Sequence, residues 1–135
     1  MQGCLACQKL GHCVIQDGAS AVLDQVRESD VLVFAAPIYY YAICGQLKTF
    51  LDRMNPIFST GHSFRSVYLL AAAADLDASA MDGAVKELEG WVSCFDGAEL
   101  SGVVRGTGAE GVGESQHSNP GALQQAYQQG RALSS

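Results

Sequence analysis

The segment SDVLVFAAP contains an uninterrupted apolar run from Val31 to Ala36, which Pro37 ends. A short run that is apolar on both faces is typical of a strand inside a parallel sheet, because helices cover both sides of such a strand. The segment 66–74, SVYLLAAAA, has the same character. A weaker third candidate is AELSGVVRG, with Val103 and Val104 at its centre. The chain therefore predicts three buried strands.

Between these strands, apolar residues recur at helical spacing. The predicted buried faces are Ala19, Val22 and Val26 after the N-cap Asp17; Ile43, Leu47, Phe50, Leu51 and Met54; Met81, Val85, Leu88, Val92 and Phe95; and Leu123, Ala126, Tyr127, Gly130 and Leu133. The second helix is predicted to end before Pro56, and Asn119 and Pro120 are predicted to begin the last. This alternation predicts an α/β fold, with helices on both faces of a parallel sheet.

The bulk composition limits the class of protein. The chain has 135 residues, 48% of them hydrophobic and 16% charged, which is enough for one globular domain over residues 1–135. A formal net charge of −6 argues against a nucleic-acid partner, which would need a basic surface. The sequence shows neither a secretory signal nor an apolar run of about 20 residues, so we expect a cytoplasmic protein without a membrane partner.

The ends of the predicted strands are the places to look for a site, since ligands of such sheets bind at the carboxyl ends of the strands. The stretches that follow the strands are PIYYYAICG, AAADLDA and RGTGAEGVGE. The first carries Tyr39, Tyr40 and Tyr41, on which a planar ring could stack. The spacing of the tyrosines is equally compatible with core or interface aromatics.

The second predicted helix carries three charged residues, Lys48, Asp52 and Arg53. Lys48 and Asp52 are one helical turn apart and could form an ion pair, which contributes only a few tenths of a kcal/mol. We interpret all three side chains as part of a solvated helix face.

The segments CVIQDG and SDVLVFAAPIYYYAICGQLKTFLDRM resemble the NAD(P)H-dependent FMN reductases of the flavodoxin-like superfamily, and in particular their iron–sulfur flavoprotein branch. The shared pattern is a cysteine-rich loop, C-x-x-x-D, a helix, an apolar strand, P-[IV]-Y and then G-x-L-K-x-F-L-D-R. The tail, GVGESQHSNPGALQQAYQQGRAL, is similar to the closing helix of these proteins. The resemblance implies a flavodoxin-like, doubly wound sheet in a three-layer α/β/α arrangement.

The resemblance also implies FMN as the bound cofactor. The residues that match the flavin-binding loops are Pro37, Ile38, Tyr39 and Tyr40 after the first strand, and Ala73, Ala74 and Asp75 after the second. A flat, partly apolar ring needs stacking and backbone hydrogen bonds, while the cofactor supplies the electron chemistry. No general acid or base is assigned.

The start of the chain departs from the family pattern. Family members have a strand, a phosphate-binding loop, a helix and a second strand before the cysteine loop, whereas this chain begins at that loop. We therefore expect an N-terminally truncated fold that lacks the first strand, the first helix and the second strand. The strand Val31–Ala36 would then lose a neighbour, and FMN binding would lose the contacts to its phosphate.

Three cysteines, Cys4, Cys7 and Cys13, stand in the opening stretch MQGCLACQKLGHC. In a cytoplasmic protein, clustered thiols bind metal or do redox work more often than they form disulfides. The iron–sulfur branch has four cysteines spaced two, two and five apart, and these three match the last three positions. The first ligand would fall on Met1. The resemblance therefore implies an iron–sulfur cluster with one ligand missing, or zinc if a residue such as His12 completes the set. The alternative is that the three thiols are packed relics.

The function implied by the resemblance is that of an FMN-dependent oxidoreductase. A reduced nicotinamide, NADH or NADPH, would give hydride to the flavin, and a small-molecule or protein acceptor would take the electrons. Family members are usually dimers or tetramers, which implies a homo-oligomer. Two alternatives stay open. One is an iron–sulfur flavoprotein that carries electrons without nicotinamide activity, and the other is a non-catalytic fragment that needs a partner chain to cover its open sheet edge.

Overall fold

The structure is a computed structural model that describes residues 1–133. The helices are α1 (Ala6–Leu10), α2 (Gly18–Glu28), α3 (Gly45–Arg53), α4 (Asn55–Thr60), α5 (Asp82–Val92), α6 (Ser115–Ser118) and α7 (Pro120–Leu133), with a 3₁₀ turn at Ala78–Met81. The strands are β1 (Val31–Tyr39), β2 (Ala42–Ile43), β3 (Ser66–Ala72) and β4 (Glu99–Gly106). None of the helices in this range has both the length and the apolar character that crossing a bilayer requires.

The strands form one sheet in the order β2-β1-β3-β4. Strands β1, β3 and β4 are parallel, and the short β2 returns antiparallel along the end of β1. The register pairs Val31 with Ser66 and Ser66 with Glu99, with an irregularity after Val67. The three strands predicted from the sequence are therefore present, and helices separate them in the predicted order.

The core lies between one face of this sheet and the helices α3, α4 and α5. Its members are the apolar side chains that alternate along the strands and repeat along the helices: Leu32, Phe34, Val67, Leu69, Leu51, Met54, Ile57, Met81, Leu88 and Val92. Burying a side chain of this size contributes about 1.5–3 kcal/mol each. The predicted apolar faces of the second and third helices therefore account for much of the core.

The opposite face of the sheet is covered only in part. Helix α7 packs on β4, where Gln129 lies against Gly102, while Val33 on β1 is 51% exposed. Along Val31–Pro37 the only backbone partner of β1 among residues 1–133 is β3. The expectation that β1 is buried on both faces is therefore wrong for this face, since no layer of the described chain lies over it.

Two strand ends differ from the prediction. Pro37 does not end β1, which continues to Tyr39. The proline is tolerated because β1 lies at the edge of the parallel sheet here, where a missing N–H group removes no essential ladder bond. Strand β3 ends at Ala72, two residues earlier than predicted.

Local capping follows the prediction at two helices. The Asp17 carboxylate accepts hydrogen bonds from the backbone N–H groups of Ala19 and Ser20, at 3.1 and 3.4 Å. The Asn119 side-chain oxygen accepts from the N–H of Ala122 at 3.1 Å. Both residues therefore satisfy N–H groups that the first helical turn leaves without partners.

The predicted buried face of α7 is wrong. Leu123, Tyr127 and Leu133 are exposed, whereas the helix turns Ala122 towards β4. A small side chain permits this close approach, and the amide of Gln125 donates to the carbonyl of Val103 at 3.2 Å. The larger apolar residues would need a further layer beside α7 to be buried.

Candidate functional site

The last residues of β1 meet the loops after β3 and β4 at the carboxyl edge of the sheet, and together they border an open cavity of about 430 Å³. The cavity is lined by Pro37, Ile38, Tyr39, Ala72, Ala73, Ala74, Ala109, Glu110, Gly111, Val112 and Ser115. This volume lies in the range of about 300–1,000 Å³ that is typical of small-molecule sites.

Most of the residues predicted to bind a cofactor come together in this cavity. Pro37, Ile38 and Tyr39 contribute one wall, and Ala73 and Ala74 contribute the second. Two predicted residues are not part of the lining. Tyr40 projects into solvent, and Asp75 uses a carboxylate oxygen to accept from the N–H of Asp77 at 2.9 Å. The assignment of these residues as a cofactor site stays a prediction.

Backbone hydrogen bonds hold the β3 loop against the β4 loop. The N–H of Ala73 donates to the carbonyl of Gly106, and the N–H of Ala109 donates to the carbonyl of Ala73, both at 2.9 Å. A third bond, 3.0 Å long, joins the N–H of Gly108 to the carbonyl of Asp75. The two walls are therefore parts of one continuous backbone network.

A third wall comes from the glycine-rich loop that follows β4. The Glu114 carboxylate accepts from the N–H groups of Glu110 and Gly111, at 2.8 and 2.9 Å. No individual residue of this wall was assigned from the sequence. The available signal was the position of the stretch RGTGAEGVGE directly after a strand, which the sheet topology brings to the same edge.

The lining chemistry suits a flat, largely apolar group. Its apolar part consists of alkyl groups, a proline and a tyrosine ring. Ser115 adds a hydroxyl, and Glu110 is the one charged residue among the described residues that line the cavity. Such a wall can pack on the ring of FMN, whereas a phosphate needs N–H donors or cations. Glu114 already occupies two N–H groups of the β4 loop. The residues present therefore fit the flavin ring and supply no cation for its phosphate.

Beside the cavity, β1 and β2 are joined by the tyrosine turn, which consists of Tyr40 and Tyr41. Both residues have left-handed backbones, with φ angles of 50° and 64°. A two-residue hairpin turn with positive φ at both positions is of type I′, which strongly favours Asn and Gly, so two tyrosines here are strained. Tyr40 is 99% exposed, which excludes the core interpretation for this side chain.

The cysteine loop, residues 4–13, lies away from this cavity. Cys4 is exposed, Cys7 is buried, Cys13 is half-buried, and all three line a small pocket of about 30 Å³. The side-chain amide of Asn55 donates to the sulfur of Cys7 at 3.0 Å. Within residues 1–133, no group of three or more Cys, His, Asp or Glu side chains is arranged so that it could hold a metal ion.

The arrangement of the thiols therefore does not fit an iron–sulfur cluster or zinc as it stands. The assignment of Cys4, Cys7 and Cys13 as ligands stays a prediction. The structure supports it only in that the three residues share one pocket.

The interpretation of Arg53 as part of a solvated helix face is wrong. Its side chain is 8% exposed and forms an ion pair with Asp17, whereas Lys48 and Asp52 form the predicted surface pair at 2.6 Å. The hydrogen bond from Arg53 lowers the pKa of Asp17, burial acts in the opposite direction, and the N–H of Ser20 lowers it further. Sequence spacing offers no signal for this burial, because Asp17 lies 36 residues away.

Comparison with solved structures identifies the fold. The Trp repressor binding protein of Bacillus subtilis superposes with a TM-score of 0.68 at 24% sequence identity, over 81% of this chain and 68% of that protein. An FMN-dependent NADH-azoreductase from Bacillus anthracis, solved in complex with FMN, gives a TM-score of 0.66 at 19% identity, over 87% of this chain and 62% of that one. The flavodoxin-like fold class predicted from the sequence is therefore confirmed.

Sequence comparison identifies the family. An iron–sulfur flavoprotein of Archaeoglobus fulgidus is 43% identical over 54 residues, which is 40% of this chain. The matched part covers 24% of that relative's length. The sequence model of the NADPH-dependent FMN reductases matches residues 2–109. Since this match spans well over half of the chain, the chain belongs to the NADPH-dependent FMN reductase family, for which FMN is the cofactor.

Proposed function

We propose that the chain acts as an FMN-dependent NAD(P)H oxidoreductase whose cavity at the carboxyl edge of the sheet holds the flavin ring. One observation carries the proposal: five of the seven residues predicted to bind the cofactor line a single cavity. Family membership supports the same chemistry. A small-molecule or protein acceptor takes the electrons.

The residues of the chain bind and shield the ring. Tyr39 and Pro37 offer apolar surface on one side, and Ala73 and Ala74 approach from the β3 loop. Val112 adds apolar surface from the β4 loop. When bound, FMN supplies the hydride and electron chemistry. The contribution of the protein is to orient the ring and exclude water from it.

Flavin titration of the purified chain, followed by quenching of flavin fluorescence, tests the proposal. Tyr39→Ala removes a lining ring and is expected to weaken FMN binding about threefold to tenfold, the equivalent of one aromatic contact. Tyr40→Asn is the matched control, because Tyr40 is exposed and asparagine accepts the left-handed backbone. Equal effects of the two variants, or no binding by the wild-type chain, would contradict the proposal.

Comparison of riboflavin with FMN extends this test to the phosphate. Because the described lining has no cation, the cavity should hold riboflavin nearly as well as FMN. A strong preference for FMN would mean that phosphate contacts elsewhere dominate the binding.

A second candidate function is that of an iron–sulfur flavoprotein, for which the thiols of the cysteine loop would have to move from their present arrangement to hold a cluster. The three thiols share one pocket, and the Archaeoglobus relative is named an iron–sulfur flavoprotein. Iron and acid-labile sulfide analysis of anaerobically purified chain tests this candidate. Absence of both, together with NAD(P)H turnover, would leave only the oxidoreductase.

We also propose that the chain works as a homo-oligomer. The uncovered face of β1 and the tyrosine turn expose apolar side chains, including Val33 and Tyr40. Exposed apolar surface beside an unpaired strand edge favours association. Light scattering after size exclusion measures the mass, and a monomer at all concentrations would contradict the proposal.

A further inference from the structure

The buried guanidinium of Arg53, at the end of α3, is the centre of a partly buried polar cluster. It donates to the carboxylate of Asp17, to the carbonyl of Ile15 at 3.0 Å and to the hydroxyl of Ser20 at 3.3 Å. Ile15 and Asp17 lie in the segment that joins the cysteine loop to α2, and Ser20 lies in the first turn of α2. Arg53 therefore ties that segment to a helix more than 30 residues away.

One donor of this buried side chain is left over. The Nε atom of Arg53 is buried and has no hydrogen-bond partner among the described residues. Burying an N–H group of a cation without a partner is costly, so this donor calls for an explanation. Arg53 and Cys13 line the same two pockets, one of about 30 Å³ and one of about 210 Å³.

Among the described residues, Cys13 is the one residue that lines both pockets together with Arg53. The hydrogen bond with Asp17 is the main cause that raises the pKa of Arg53, burial opposes it, and Coulomb attraction to Cys13 raises it further. On the other side of the loop, Asn55 donates to Cys7. Cys13 therefore shares its two pockets with a cation from α3, and Cys7 accepts a hydrogen bond from α4.

The larger pocket leaves room for a ligand at this sulfur. It is lined by Cys13 and Arg53 together with Gly11, His12, Gln16, Ser20, Leu23 and Asp24. The Asp24 carboxylate is paired with Arg27 at 2.9 Å, so Arg53 is the cation of the wall that faces Cys13. Cys13 is half-buried, so its sulfur is reachable from this side. A ligand that approaches Cys13 through this pocket meets the guanidinium at the same time.

We propose that Arg53 is the positioning residue of the cysteine loop and that its charge makes the pocket at Cys13 selective for anionic, thiol-directed ligands. The ion pair between Arg53 and Asp17 anchors the loop. The unpaired Nε–H of Arg53 and its positive charge attract an anionic ligand that binds at the Cys13 sulfur. This inference goes beyond the proposed function. Its test uses the chain without flavin or metal, so its failure and that of the flavin proposal are distinguishable.

The test compares two disulfide probes at pH 7 on the full chain, with rates at each cysteine resolved by peptide mass spectrometry. One is the dianionic 5,5′-dithiobis(2-nitrobenzoate) and the other the neutral 4,4′-dithiodipyridine. In both reactions the Cys13 sulfur forms a bond to one probe sulfur, the probe S–S bond breaks, and the other half leaves as a thiolate that takes the electron pair. The measured quantity is the ratio of the anionic to the neutral rate at Cys13.

Arg53→Gln is expected to lower this ratio about tenfold, because the local positive potential is lost, and Arg53→Lys is expected to restore most of it. Lys48→Gln removes the same charge from an exposed site on the same helix and should leave the ratio unchanged. A purely structural role would change both rates together and leave the ratio constant. A wild-type ratio in Arg53→Gln, or an equal loss in Lys48→Gln, would overturn the proposal.

Asp17→Asn separates the anchoring role of Arg53 from the effect of its charge. This variant also keeps the proposal testable if Arg53→Gln does not fold. Asparagine still caps α2, but the ion pair that holds Arg53 is lost. We expect the neutral probe to react several-fold faster at the buried Cys7, because the loop is released, while the ratio at Cys13 stays high. An unchanged rate at Cys7 would overturn the anchoring role, and a ratio lowered as in Arg53→Gln would contradict the separation of the two roles.

Discussion

Gly83 of α5 lies so close to Tyr41 that a Cβ atom at position 83 would stand 2.4 Å from the Tyr41 carbonyl oxygen. Real carbon–oxygen contacts do not reach this distance. Helix α5 can therefore lie this close to the tyrosine turn only because position 83 has no side chain. The contact joins the turn after β1 to the helix before β4, and so places one border of the candidate flavin site.

Gly83→Ala tests this contact. The added methyl group must displace either the turn or the helix, and we expect a loss of about 1–3 kcal/mol in the free energy of unfolding, measured by urea denaturation. Gly90→Ala in the same helix is the matched control, because no atom lies within 4 Å of its would-be Cβ. That variant is expected to gain up to about 1 kcal/mol from helix propensity. Equal effects would show that the contact does not constrain the fold.

A second bond from α5 holds the other side of the hairpin. The N–H of Ile43 on β2 donates to the carboxylate of Glu87 at 3.1 Å in a partly buried position. Glu87→Ala leaves this donor without its partner and should cost about 1–2 kcal/mol of unfolding free energy. Glu87→Gln keeps an acceptor oxygen and should cost less. Glu89→Ala, an exposed change in the same helix, should lie within about 0.5 kcal/mol of wild type, and a similar loss there would argue against the bond.

Relief of strain in the tyrosine turn is expected to stabilise the chain. Replacing Tyr40 by Asn and Tyr41 by Gly supplies the residues that a two-residue hairpin turn prefers. We expect an increase of about 1 kcal/mol in unfolding free energy, seen as a higher urea midpoint. Tyr127→Asn makes a similar exchange on an exposed helical residue and should give no gain. If the double variant were no more stable than wild type, the turn would not be strained.

Stability at acid pH should depend on Asp17. Its pKa is lowered by Arg53 from an ordinary value near 3.8, so the unfolded chain takes up a proton here at higher pH than the folded chain. The contribution of the pair is therefore fully present above about pH 4 and is lost as pH falls through the lowered pKa. Urea midpoints measured from pH 6 to pH 2 should fall less steeply for Asp17→Asn. Arg53→Gln should flatten the profile in the same way, and a wild-type slope in both variants would contradict this prediction.

The uncovered face of β1 should govern self-association. Val33→Lys places a charge on this face, and we expect the mass distribution in light scattering to shift towards the monomer with unchanged circular dichroism. Leu76→Lys is the control, since Leu76 is exposed on a loop away from this strand face. Unchanged mass in Val33→Lys, or the same shift in both variants, would place the interface elsewhere.

Much of the architecture follows from local patterns in the sequence. The apolar runs at Val31–Ala36 and 66–74 predict two strands, and the residue types at positions 17 and 119 predict two caps that the structure shows. The position of three loops after parallel strands places them at one edge of the sheet. Within these stretches, the family resemblance singled out Pro37, Ile38, Tyr39, Tyr40, Ala73, Ala74 and Asp75, of which all but Tyr40 and Asp75 line the cavity.

Three features were decided only by tertiary structure. Arg53 is buried because Asp17, 36 residues away, reaches its guanidinium, and no local pattern encodes a distant acceptor. Helix α7 has an apolar stripe with Leu123 and Tyr127, yet Ala122 is the residue that faces β4. An apolar stripe shows that a helix is amphipathic, but it does not show which neighbouring layer is present to bury that stripe. The left-handed tyrosine turn persists because Gly83 and Glu87 support it from another helix. The sequence alone thus determined the three parallel strands and the four longer helices in their order, whereas the short β2, which takes Ile43 from the predicted second helix, was not foreseen. Packing between distant elements decided which side chains face inward.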